Sequence, residues 1–286
     1  MNRRFAAAAL TIAMIAGAFG SAPRASADDS SPLPVAEPVV PSQNSPDATS
    51  ESLVTKSSVD PTVRLADVKA KGAAAIAKRQ TTLAEVAGRL GSQTKDCGSN
   101  AAMAAELTAS ATSLTSVGAS LSAATDLKAA KTLYRSIFID HRVYLVVAPK
   151  AGKVIRCDNQ LLRNEALATE GAKLQVSIDE AKAKGVDTTA AQALKDAAMA
   201  QLAGINPAAA LPGVIGLVPD KGDKTIQASN AAALRSSDAV LDGTYGAQKA
   251  VNAQFAAARK ALANAASITR TSKKAAAVET RTTKKK

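Results

Sequence analysis

The residues best equipped for chemistry crowd into one stretch of this 286-residue chain. Leu133 to Gln160, LYRSIFIDHRVYLVVAPKAGKVIRCDNQ, holds the single histidine (His141), one of the two cysteines (Cys157), and three aromatics, Tyr134, Phe138 and Tyr144. His141 is the natural candidate for a general base, because imidazole titrates near neutrality. Its neighbour Asp140 is adjacent in sequence, however, and i,i+1 side chains do not face each other on a helix. No serine or cysteine nucleophile motif accompanies it. Metal binding needs three or four convergent ligands, which one histidine and two cysteines do not supply. Gly213 and Gly216 lack the Gly-Lys-Ser/Thr that completes a phosphate loop. The paired acids Asp179-Glu180 stand in lysine-rich helical surroundings and read as solvated. The expectation is therefore no enzyme, no cofactor and no metal. An enzyme or small-molecule carrier would need a pocket between helices near Tyr134, Phe138 and Tyr144.

A second concentration of reactive charge lies at the C-terminus. Residues 269–286, TRTSKKAAAVETRTTKKK, carry seven bases, Arg270, Lys273, Lys274, Arg281, Lys284, Lys285 and Lys286, against Glu279 alone. The whole chain has a formal net charge of +12. Lysine and arginine clusters attract polyanions by releasing counterions. The tail has no aromatic on which a base could stack, so specific nucleic-acid binding is not expected. The candidate partners are an anionic cell-wall polymer, a glycan, or acidic lipid headgroups. The competing reading is a solubilising tail with no dedicated partner.

The elements that must position these residues begin with an address. Arg3 and Arg4 precede an apolar stretch from Phe5 to Gly20, and Ala25-Ser26-Ala27 forms a small-x-small cleavage site. The stretch is short for a membrane anchor. Residues 1–27 therefore read as a signal peptide cleaved after Ala27, directing the chain to secretion, with cell-wall association as the further possibility. No second hydrophobic span is expected. Residues 28–61 are rich in proline and serine with six acids and one lysine, the composition of a disordered tether. Two cysteines in an exported chain predict one disulfide, Cys97–Cys157, the alternative being two buried free thiols.

Alanine makes up nearly a quarter of the chain, aromatics only 2%, and tryptophan is absent. Alanine is the best helix former, and small side chains permit close helix contacts. Heptad rows follow. Leu65, Gly72, Arg79 and Val86 repeat at seven beside Ile76, Leu83 and Leu90, closed by Gly91. Met103, Leu107, Leu114, Val117 and Leu121 form a second helix. Thr125-Asp126 is a cap leading into the central stretch. There, Val143 to Ala148 has strand propensity. One reading is a helix ending in a short extended segment before Pro149; a continuous helix kinked at the proline is the other. Asp158 reads as the N-cap of a long helix with Leu162, Leu167, Leu174 and Ile178 on one side, ended by Gly185. Asp187 caps a helix to about Ala203, residues 204–223 are loop with one short helix, and a final helix runs from Lys224 to Ser267. Asp242-Gly243 and Gly246 are its expected bends.

The fold class is thus all-α, an elongated, coiled-coil-like antiparallel helical bundle over 62–268, followed by a disordered basic tail over 269–286. The central segment resembles the hallmark of a group of exported, helix-rich actinobacterial proteins of uncharacterised function, through Asp126-Leu127-Lys128, Arg142-Val143-Tyr144 and Pro149-Lys150. His141 stands where that group would carry a tyrosine, so this histidine is not a family site. The resemblance implies export and a helical fold, and no activity. The function expected is a structural or binding module of the cell envelope whose basic surface touches anionic polymer. The alternative is a protein that self-associates or docks partner helices through its heptad rows.

Overall fold

The computed structural model describes residues 60–283, with side chains to residue 277. The expected signal peptide, nearly all of the tether, and Lys284, Lys285 and Lys286 lie outside the described residues. No strand occurs among those described. Helix α1 (Pro61–Gly91) opens on Asp60, whose carboxylate accepts the Thr62 N–H at 2.7 Å, with Pro61 in the first turn where its missing donor costs nothing. Its buried residues, Gly72, Ile76, Arg79, Leu83, Val86 and Leu90 among them, include most of the two heptad rows. Helix α2 (Asn100–Ala123) returns antiparallel. Gln80 reaches Thr115 at 2.9 Å and Lys69 reaches the Ser122 carbonyl at 2.7 Å. A Cβ on Gly72 would stand 2.1 Å from a methyl of the Leu121 side chain, so a larger residue here would force that buried leucine to shift.

Helix α3 (Leu127–Ile139) is capped by Asp126, which accepts the Ala129 N–H. The next segment departs from both expectations for it. The chain turns through Arg142 in the left-handed region (φ 41°) and then winds a single π-helical turn, Val143–Val147. That turn runs directly into α4 (Ala148–Ala183). Val143, Val146 and Val147 are buried, so their branched side chains serve the core and not a strand. Pro149 lies in the first turn of α4, opening a helix instead of ending one. Asp158 is likewise not a cap: it sits in the middle of α4, fully buried. Leu162, expected on the apolar side, is 46% exposed, while Leu167, Leu174 and Ile178 are buried.

Gly185 ends α4 as expected, at φ 77°, with the Val186 N–H bonded to Ala181 O and the Gly185 N–H to Lys182 O. Helix α5 (Thr189–Ala203) packs antiparallel to α4, Gln192 meeting Gln175. A 3-10 turn (Pro207–Ala210) and α6 (Pro212–Ile215) follow. The stretch Thr189–Ile215 is apolar enough on average to suggest a membrane span, contrary to the expectation of no second one. It breaks at Ala203, and Ala191, Ala198 and Leu202 pack into a core with residues of α4 and α7.

Helix α7 (Lys224–Thr283) passes unbroken through Gly243 and Gly246 and continues beyond Ser267. The tail is thus helical as far as it is described, where irregular chain was expected. Helices α4 and α7 run parallel, not antiparallel: contacts advance together from Gln160–Leu241 through Asn164–Gln248 to Glu170–Arg259. One apolar core gathers α1, α2, α3 and the start of α4; a second gathers the end of α4, α5 and α7. Between them lies a buried amide layer in which Gln160 donates to Leu241 O, and Gln248 donates to Gln160 O and Asn164 Oδ1. The amide nitrogens of this layer are thus bonded, while Gln160 Oε1 and Gln248 Oε1 are buried without a partner among the described residues.

Candidate functional site

The aromatic centre closes around a cation. Arg79, 4% exposed, projects from the heptad row of α1 so that its guanidinium lies 4.3 Å from the Phe138 ring centroid and 4.9 Å from that of Tyr144. Tyr134 meets Phe138 edge-on at 5.1 Å. The rings and the guanidinium thus pack on one another, as cation–π geometry favours. His141 is half-buried in the link after α3. Burial pushes its imidazole below the usual value, Asp140 opposes this, and the Arg79 charge reinforces it. The nearby Ser136 hydroxyl is turned onto Leu133 O. Among the described residues no group of three potential ligands could hold a metal ion.

Four bases of the central stretch are engaged. Arg142 Nε and Nη2 both bond Asp220 Oδ1, at 3.1 and 2.8 Å, and the Asp220 side chain is 1% exposed. Lys150 bonds Glu106 at 2.6 Å and Leu217 O at 3.1 Å. Lys153 pairs with Asp238, and Arg156 with Asp238 and Asp242, all on α7. The expected disulfide Cys97–Cys157 ties the α1–α2 turn to α4. Beside it, Asp158 Oδ1 accepts the Cys97 N–H at 2.8 Å, while its Oδ2 is buried without a partner among the described residues. Burial raises the Asp158 carboxyl above the usual carboxylate range, offset by the Cys97 N–H and Asn100, with Asp96 adding to the rise.

The C-terminal bases have a different setting. Arg270, Lys273 and Lys274 are exposed on α7. Arg270 Nε donates to Ala266 O, and Lys273 Nζ reaches Lys184 O at 3.2 Å, where the carbonyl end of α4 favours a cation. Arg281 lies in the same helix. Just below them α4 and α7 part to leave an open cleft of about 410 Å³, lined by Glu170, Lys173, Ser177, Lys184, Arg259 and Leu262. Glu170 is bonded by both Lys173 (3.0 Å) and Arg259 (2.8 Å).

Sequence spacing did not single out Asp158 as a buried acid, nor the trio Arg163, Tyr245 and Lys249 on the α4–α7 face. The available signal was slight: Tyr245 is a rare aromatic with a lysine one helical turn on. Compared with known proteins, the chain matches no family model, no curated protein and no solved structure.

Proposed function

We infer that this is an exported, non-enzymatic protein of the cell envelope, whose helical body presents a basic helical end to an anionic polymer. The observation that carries the reading is the exposure of Arg270, Lys273 and Lys274 on α7, in a protein where Arg142, Lys150, Lys153 and Arg156 are paired with acids. A helix spaces charge more rigidly than an irregular tail, so a partner would meet a fixed row and release its counterions along it. The Cys97–Cys157 disulfide supports an oxidising compartment, as export would provide.

The test is salt elution from a polyanionic matrix, comparing wild type with R270Q/K273Q/K274Q. The wild type is expected to elute at clearly higher salt. The variant should unfold within about 0.5 kcal/mol of wild type, as exposed substitutions usually do. Equal elution would remove this helix from the binding surface.

A further inference from the structure

Helices α4 and α7 carry matched cations and acids at several rungs, but not where Arg163 meets Tyr245. Lys153 and Arg156 meet Asp238 and Asp242; further along, Glu170 meets Arg259. Between these rungs Arg163 faces Tyr245 and Lys249. The Arg163 guanidinium carbon lies 4.8 Å from the Tyr245 ring centroid, and Lys249 Nζ lies 4.6 Å from the same centroid. No carboxylate among the described residues forms an ion pair with either cation, and Arg163 Nε is buried without a hydrogen-bond partner. Two uncompensated positive charges thus share one half-buried ring.

The rung is continuous with the basic end of the molecule. On α7, Tyr245, Asn252, Arg259, Ala266 and Lys273 repeat at seven, and so do Lys249, Ala256, Ala263 and Arg270. On α4, Arg163, Glu170, Ser177 and Lys184 form the facing row. Contacts join these rows at Arg163–Tyr245, Glu170–Arg259 and Lys184–Lys273. Cations stand at both ends, and the cleft between them is lined by Lys173, Lys184 and Arg259 together with Glu170 and Glu180. Lys249 and Arg270 share a heptad position and lie roughly 30 Å apart at about 1.5 Å per residue.

We propose that Arg163, Tyr245 and Lys249 form an anion-binding station for a tetrahedral oxyanion group of a linear polymer, whose following charges track the α4–α7 seam to the basic end of α7. This rests on the polyanion reading above and adds a second, internal contact to it. The chemistry suits an oxyanion: Arg163 offers a planar donor fork, Lys249 a mobile point charge, and Tyr245 holds both in place. The bound group would supply the negative charge that the Lys153–Asp238, Arg156–Asp242 and Arg259–Glu170 rungs already have.

Long-chain polyphosphate is the probe, with affinity measured at several salt concentrations on the full chain. R163Q/K249Q should weaken binding tenfold or more at low salt and flatten the salt slope by about one to two, the contribution of two released counterions. R163K, which keeps the charge, should restore most of the slope. If wild type binds and R270Q/K273Q/K274Q weakens binding while R163Q/K249Q matches wild type in affinity and slope, the station is overturned and the basic helix stands. If wild type does not bind polyphosphate at any salt, both readings fall. A drop in thermal stability of R163Q/K249Q with an unchanged slope would identify the trio as structural only, and also overturns the station.

Discussion

Two regions of this molecule are equally basic to the eye and opposite in their physics. In Arg142 to Arg156 each of four cations is turned inward onto an acid: Asp220, Glu106, Asp238 and Asp242. At the end of α7, Arg270, Lys273 and Lys274 stand in solvent. A buried charge is tolerated only when paired, and removing one partner leaves the other stranded. An exposed charge costs almost nothing to keep and little to remove. A basic residue therefore says nothing about partners until its burial and its acid are known. The aromatics on either side of His141 pack against the first core, whereas the C-terminal helix leaves its bases in solvent.

The contrast breaks most sharply at Asp220. It accepts both bonds from Arg142, holds the Gly222 N–H at 2.7 Å, and anchors a residue forced into the left-handed region. Asp220→Ala should lower stability by about 3–5 kcal/mol, measured by urea unfolding. A loss below about 1 kcal/mol would mean the central pairs are as dispensable as surface ones. Tyr144→Ala comes next, at about 3 kcal/mol, because the ring packs on Arg79 within the first core. Tyr144→Phe should be nearly neutral, since the hydroxyl is buried without a hydrogen bond among the described residues. His141→Ala should change the melting midpoint least at pH 8, where the imidazole is neutral in both folded and unfolded chains. The reverse ranking of Tyr144 and His141 in thermal melts would restore the histidine as a candidate site.

The sequence revealed what depends on neighbours close in the chain. The rows Gly72–Arg79–Val86 and Leu107–Leu114–Leu121, the Asp126 cap and the Gly185 terminator all occur where local chemistry placed them. It misled where tertiary packing overrode propensity. Val143–Val147 has the side chains of a strand, yet no partner strand exists among the described residues, and a π turn buries the same valines. Asp158 has the residue type of a cap, but α4 had already begun ten residues earlier at Ala148. The tail lacks an apolar row, so it read as irregular; its alanines instead extend a helix already started at Lys224. The parallel pairing of α4 with α7, and hence the Arg163–Tyr245–Lys249 rung, joins residues more than 80 apart and left no local mark.

The subtlest difference within the paired centre is Asp158, a buried acid with no cation to meet it. Its folded carboxyl is raised above the unfolded value of 3.8, so the folded chain holds a proton that the unfolded chain releases. Stability should therefore fall as pH rises from about 4 through the raised folded value, and level off once both forms are ionised. Asp158→Asn cannot ionise. Its carboxamide oxygen can still accept the Cys97 N–H, and its amide places a donor where Oδ2 is now unpaired. The variant should lose that part of the pH slope and be more stable than wild type at pH 8 by about 1 kcal/mol, with the gap closing towards pH 4. Urea unfolding of both proteins at pH 4, 6 and 8 measures this directly. If the gap instead stays constant across that range, Asp158 is ionised in the fold throughout, and the centre tolerates an unpaired charge that the rest of its architecture avoids.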